Sequence, residues 1–203
     1  CLEPGNAGLS DYGHQVVERL NDLGSIVDLS HCGKRTTAEA IAASRAPVGI
    51  THTGCNAVEP HPRSKDDEDL RAMADGGGVV GIYLMPFLTP GRVPTAADVV
   101  AHIEHALNVC GEDHVGIGSD LSITPIDGSD EYWSKHREFV AGRIANGIAA
   151  PAEDPEVLFT VPELNSHRRM DMIAAALSGR GHPDRVIEKV IGEFPDNDLT
   201  LVV

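Results

Sequence analysis

Aromatic residues are scarce: four Phe, three Tyr and one Trp make up 4% of 203 residues, within a hydrophobic share of 41%. A core of that composition has to be built from Val, Ile, Leu and Ala, which fits an α/β protein. Basic residues are few as well. Sixteen Lys and Arg against 31 Asp and Glu leave a net charge of −15, which argues against a nucleic-acid or anionic-membrane partner, because phosphate contact needs a basic face. No apolar run approaches the roughly 20 residues of a membrane span. The opening C-L-E-P-G-N-A-G lacks the charged-then-apolar pattern of a signal peptide. It also lacks an initiating Met, which leaves open where the protein's N-terminus lies. Cys1, Cys32, Cys55 and Cys110 form no CxxC pair and no dense framework, as expected of free thiols in a reducing compartment. Cys32 follows His31 directly and Cys55 lies three residues after His52, yet no motif supports a Cys–His nucleophile.

What is present is a βα alternation, and the length suits one domain with a full core. The stretch from Ser25 to Arg63 predicts two buried strands, Ser25 to Ser30 and Pro47 to Thr51, with a helix between them. Each strand runs into a histidine, His31 and His52. Thr36 and Glu39 match a capping box for the intervening helix. Upstream, Ser10 is placed to cap a helix carrying Val16, Val17, Leu20 and Leu23. Downstream come a helix over roughly Asp66 to Asp75, a third strand V-V-G-I-Y-L-M and a loop from Pro86 to Pro94. A helix capped by Thr95 and a fourth strand, H-V-G-I-G-S-D, follow. Helices around Tyr132 to Ile144, Ser166 to Leu177 and Asp184 to Ile191 complete the pattern. The Gly76-Gly77-Gly78 triplet precedes a strand, so it reads as a turn rather than a phosphate cradle. His102 and His105 share a face in mid-helix and read as surface or packing residues. The fold class is α/β with about four parallel strands, half of what a closed (β/α)8 barrel needs.

Three residues of ligand or acid–base type end strands: His31, His52 and Asp120. Parallel strands present their C-terminal ends on one face, so the three converge there. Neutral imidazoles suit zinc, whereas a second metal needs carboxylates that these strands do not supply. Asp120 is placed either to bind metal or to carry a proton. Arg63, in the loop after His52, is placed to clamp a substrate carboxylate in bidentate fashion. Each of the four, taken alone, is also an ordinary strand-end or solvated loop residue.

Taken with their neighbours they are more specific. G-L-S-D-Y-G-H-Q-V-V-E-R-L-N-D-L-G-S-I-V-D-L-S-H, S-R-A-P-V-G-I-T-H-T-G-C, H-P-R-S-K-D-D-E-D-L-R and V-G-I-G-S-D closely resemble the membrane (renal) dipeptidase family of zinc metallopeptidases, bacterial branch. The resemblance runs from about Gly8 to Gly192. It implies a (β/α)8 barrel, two zinc ions bridged by a carboxylate, and hydrolysis of dipeptides, often with a D-residue on the C-terminal side. It makes His31 and His52 metal ligands, Arg63 the holder of the dipeptide carboxylate and Asp120 the donor of a proton to the departing amine. The partner is then a small dipeptide. The family's His-x-Asp pair, bridging Glu and further histidine, from earlier strands, have no counterpart here. Ser64 stands where Asn is common, and Leu121-Ser122 where many members have an acid. I-G-E-F-P-D-N-D-L-T-L-V-V replaces the usual I-G-G-N, so residues 193–203 form an atypical tail. These departures suggest one partial domain over 1–203, the C-terminal half of the barrel, binding metal poorly alone. Its unpaired sheet edges predict association, as in a homo-oligomer. Alternatives are another metal-dependent amidohydrolase acting on a small carboxylated substrate, or a catalytically inactive barrel module.

Overall fold

The computed structural model describes residues 1–192; the tail predicted at 193–203 lies outside them. Three parallel strands, β1 (Gly49–Thr53), β2 (Val79–Ile82) and β3 (Val115–Ile117), form a sheet in the order β1-β2-β3. Helices α1 (Asp11–Asp22) and α2 (Lys34–Ala43) precede the sheet, while α3 (Asp67–Asp75) and α4 (Ala96–Cys110) form its crossovers. Helices α5 (Asp130–Ala145), α6 (Arg169–Gly179) and α7 (Asp184–Ile191) follow it. Parallel neighbours joined through helices are the expected outcome of apolar runs that alternate with 3.6-residue periodicity. Among the described residues no helix is long and apolar enough to cross a membrane, and all four cysteines are free.

The first of the four expected strands is not a strand. Between Ser25 and Ser30 only Asp28 pairs, as an isolated parallel bridge to Gly49, through Leu29 N–H to Gly49 O (2.8 Å) and Gly49 N–H to Val27 O (3.0 Å). Beyond that point side chains replace the ladder. Thr51 N–H donates to Asp28 Oδ1 (3.2 Å) and His52 N–H to Ser30 Oγ (3.0 Å), so the backbone there has no need of strand pairing. The Thr36–Glu39 capping box is also absent. Helix α2 starts earlier, with Gly33 as its N-cap, and Glu39 instead accepts from Leu9 N–H (2.6 Å) and Arg35 Nε (2.7 Å). The box at Thr95, by contrast, forms with Asp98 as its partner. Ser10 caps α1 through Gly13 N–H.

The core lies between the sheet and α3, α4, α6 and α7. Leu70 and Met73 of α3, Val80 and Ile82 of β2, Val99 and Ile103 of α4, and Leu177 of α6 are fully buried. Side chains of this size stabilise the fold by about 1.5–3 kcal/mol each. Two glycines set how closely the strands approach. A Cβ on Gly118 would lie 1.6 Å from Thr51 O, and one on Gly81 would lie 2.2 Å from the same oxygen. Pairing of β1 with β2 is in register at Ile50–Val80 and again at Thr53–Ile82. Thr51 and His52 therefore stand opposite the single residue Gly81, as in a β-bulge. The bulge pushes the Thr51 carbonyl over the two glycines and turns His52 toward the strand ends.

Candidate active site

His52 sits on this bulge, and its backbone and ring are both held. Asp28 accepts hydrogen bonds from Ser30 Oγ (2.5 Å) and N–H (3.0 Å) and from Thr51 Oγ1 (2.8 Å) and N–H (3.2 Å). Burial pushes the Asp28 carboxyl up, but these four donors outweigh it and hold it below the usual range. Because the Thr51 hydroxyl proton goes to Asp28, its oxygen is left to accept from His52 Nδ1, 3.1 Å away. That assignment puts the ring proton on Nδ1 and leaves the lone pair on Nε2. His52 Nε2 is buried and has no hydrogen-bond partner. An Asp–Thr–His chain of this kind orients a ligand ring from behind. Sequence reasoning named His52 but missed Asp28; the signal was an acid inside an otherwise apolar run.

His31 follows the Asp28 bridge at a turn, and its ring meets that of His52 edge-on, with centroids 4.9 Å apart at 65°. Burial first, then the Arg63 charge, lowers the His31 pKa; burial also lowers that of His52, against the opposing charge of Asp120. Both rings are thus held neutral, the form in which imidazole binds a metal.

Asp120 closes the group from the loop after β3. Its backbone is left-handed, with φ at +58°, a conformation that costs energy for a residue other than glycine and tends to mark a functional turn. Its Oδ2 lies 3.9 Å from His52 Nε2 and 3.7 Å from Arg63 Nη2. Both separations exceed a hydrogen bond. Arg63 Nη1 approaches His31 Nδ1 at 3.5 Å, and its guanidinium lies over the Phe87 ring, 5.4 Å from the centroid. Arg63 Nε and Nη2 are buried without partners. The four residues singled out from sequence therefore meet in one cluster.

The cluster fits a metal in part. A buried, unpartnered Nε2 beside a second neutral imidazole is what a zinc-type ion requires of two of its ligands. Among the described residues, however, no group of three or more His, Cys, Asp and Glu side chains is placed to hold an ion. Other candidates take ordinary roles. His102 is buried in α4, where its Nδ1 accepts from Cys55 N–H (3.0 Å) and its Nε2 donates to Leu88 O (3.2 Å). His105 meets Asp67 at 2.7 Å. Burial pushes the Cys55 thiol up to about 12, which leaves Cys55 a thiol rather than a thiolate nucleophile near neutral pH.

Residues 2–149, which hold all four clustered residues, match the family model described as membrane dipeptidase (peptidase family M19). Dipeptidase tcpJ of Claviceps purpurea is 33% identical over 181 residues, covering 87% of this chain and 42% of that protein. Dipeptidase verJ of Clonostachys rogersoniana is 34% identical over 148 residues, covering 72% of this chain and 38% of that protein. Among solved structures, an amidohydrolase from Pseudomonas aeruginosa superposes with a TM-score of 0.75 at 34% identity, covering 92% of this chain and 55% of that one. The chain thus spans about two fifths of the curated relatives and just over half of the solved one. With His31, His52, Arg63 and Asp120 inside the matched segment, this chain belongs to the membrane dipeptidase family, peptidase family M19.

Proposed function

We propose that the protein to which this chain belongs hydrolyses dipeptides at a zinc centre, with this chain as one partial domain forming the C-terminal half of a (β/α)8 barrel. The observation that carries the reading is a concentration of buried, unpartnered polar atoms, His52 Nε2 and Arg63 Nε and Nη2, around Asp120. Leaving such atoms unpaired costs about 1–3 kcal/mol each, so a fold that keeps them together keeps them for a ligand.

His31 and His52 would hold zinc, two ions in the complete site with the other ligands supplied from outside the described residues. Bound there, zinc supplies Lewis acidity toward the peptide carbonyl. Arg63, stacked on Phe87 and pre-set in direction, binds the dipeptide's terminal carboxylate through its free Nε and Nη2. That anchor fixes the length of the substrate and brings its peptide bond to the strand ends. Asp120, exposed enough to exchange protons, delivers one to the amine as it leaves.

Two measurements on the full-length enzyme test this. Asp120→Asn should lower turnover by about 10²–10⁴-fold with zinc content unchanged. A dipeptide with an amidated C-terminus should be cleaved far more slowly than its free acid. Zinc loss in Asp120→Asn would mean that Asp120 is a ligand. Equal cleavage of acid and amide would remove the dipeptide reading in favour of a different amide substrate, the reading toward which the name of the Pseudomonas aeruginosa amidohydrolase leans.

A further inference from the structure

The loop that carries Arg63 is built around a second histidine. His61 is 5% exposed, and both ring nitrogens are engaged. Nδ1 accepts from the Arg63 backbone N–H (3.1 Å), and Nε2 donates to Pro151 O (3.0 Å). These two bonds require the neutral tautomer with its proton on Nε2, since a carbonyl only accepts and an amide N–H only donates. The His61 ring also stacks on Phe87, with centroids 5.0 Å apart at 16°. Phe87 is the same ring over which the Arg63 guanidinium lies. One imidazole thus fixes the arginine's backbone directly and its side chain through a shared aromatic platform.

The far end of this contact is equally constrained. Pro151 lies in the segment after α5, where Glu153 accepts from Ala150 N–H (2.8 Å) and from Arg143 Nε (2.7 Å) and Nη2 (2.8 Å). Phe159 of the same segment packs on Phe87 from 6.2 Å. The Arg63 loop is closed from its own side too, because His61 N–H donates to Asn56 Oδ1 (3.0 Å) and Thr53 Oγ1 donates to Arg63 O (3.0 Å). A residue serving only as packing would need no ring nitrogen aimed at residue 63.

We propose that His61 is a positioning residue that sets the carboxylate-binding direction of Arg63, through the Nδ1 contact to its backbone and the shared stack on Phe87. The inference rests on the carboxylate role proposed for Arg63. His61→Asn keeps an acceptor oxygen near the Nδ1 position, whereas His61→Gln keeps an amide near Nε2 and removes the acceptor facing residue 63.

The test uses the full-length enzyme with N-acetylalanine and its amide as probes, followed by NMR titration and by hydrogen exchange at the Arg63 backbone amide. Wild type and His61→Asn should bind the acid within about twofold of each other and protect the Arg63 amide alike. His61→Gln should bind the acid about tenfold more weakly, equivalent to about 1.4 kcal/mol, and expose that amide to exchange. Unchanged Arg63 exchange in His61→Gln, or equal loss of acid binding in both variants, overturns the proposal. Equal affinity of the wild-type enzyme for acid and amide overturns the carboxylate role of Arg63, while the exchange rates still decide whether His61 holds the arginine.

Discussion

His52 and His102 are both largely buried histidines, and they show how the mouth of the sheet differs from its interior. His102, 1% exposed, spends both nitrogens on backbone groups and so ties the segment after β1 to the turn at Leu88. His52 spends one nitrogen on Thr51 and keeps the other unpaired, although burial makes that costly. A satisfied ring has finished its work inside the protein, whereas an unsatisfied one has been set for something outside it. Burial alone would have ranked the two the other way round as site candidates.

That contrast depends on the bulge that lifts His52 out of the ladder, so the largest effect should come from closing the space the bulge uses. In Gly118→Ala the new methyl would meet the Thr51 carbonyl at 1.6 Å, and backbone cannot move aside as a flexible side chain can. We expect a loss of about 3 kcal/mol or more by urea denaturation. A change below about 1 kcal/mol would mean that the bulge is not held against β3 as described.

The direct comparison comes next. His102→Leu leaves the Cys55 N–H and the Leu88 carbonyl unpaired in the core, which should cost about 2–4 kcal/mol while leaving zinc uptake intact. His52→Leu removes an unsatisfied nitrogen, and Thr51 keeps its bond to Asp28. It should cost less than about 1 kcal/mol yet abolish zinc uptake by the full-length enzyme. Equal destabilisation by the two changes would erase the distinction between the interior and the mouth.

The same division marks what was legible in the sequence. Interior elements followed from local pattern: α4 from Thr95 and the spacing of Val99, Val100 and Ile103, and β2 and β3 from short apolar runs. His31, His52, Arg63 and Asp120 were found because they close, or follow in the next loop, apolar runs that read as strands. The residues that hold them were not, because their bonds span long separations in the chain. Asp28 acts on Thr51 across 23 residues, and His61 reaches Pro151 across 90. The Thr36–Glu39 pattern misled for the same reason, since Leu9, 30 residues away, claims the Glu39 carboxylate. The segment from Ser25 to Ser30 had a strand's apolar content, but Asp28 and Ser30 give their neighbours side-chain partners in place of a ladder.

Titration sharpens the comparison with the smallest effect. Burial lowers the pKa of His102 and of His61 below the ordinary value of 6.5, in each case against a backbone carbonyl that raises it. The unfolded chain therefore takes up protons at these rings first as pH falls through about 6.5. Stability that is present above that value drains away below it, down to the lower pKa of the folded state. With metal chelated, the urea midpoint should fall between about pH 7.5 and about pH 5.5, well above the range where Asp28 begins to protonate. His102→Leu deletes one of the contributing rings, so its loss over the same interval should be shallower than that of the wild type. An equally steep loss in both proteins would show that His102 bears none of the acid sensitivity.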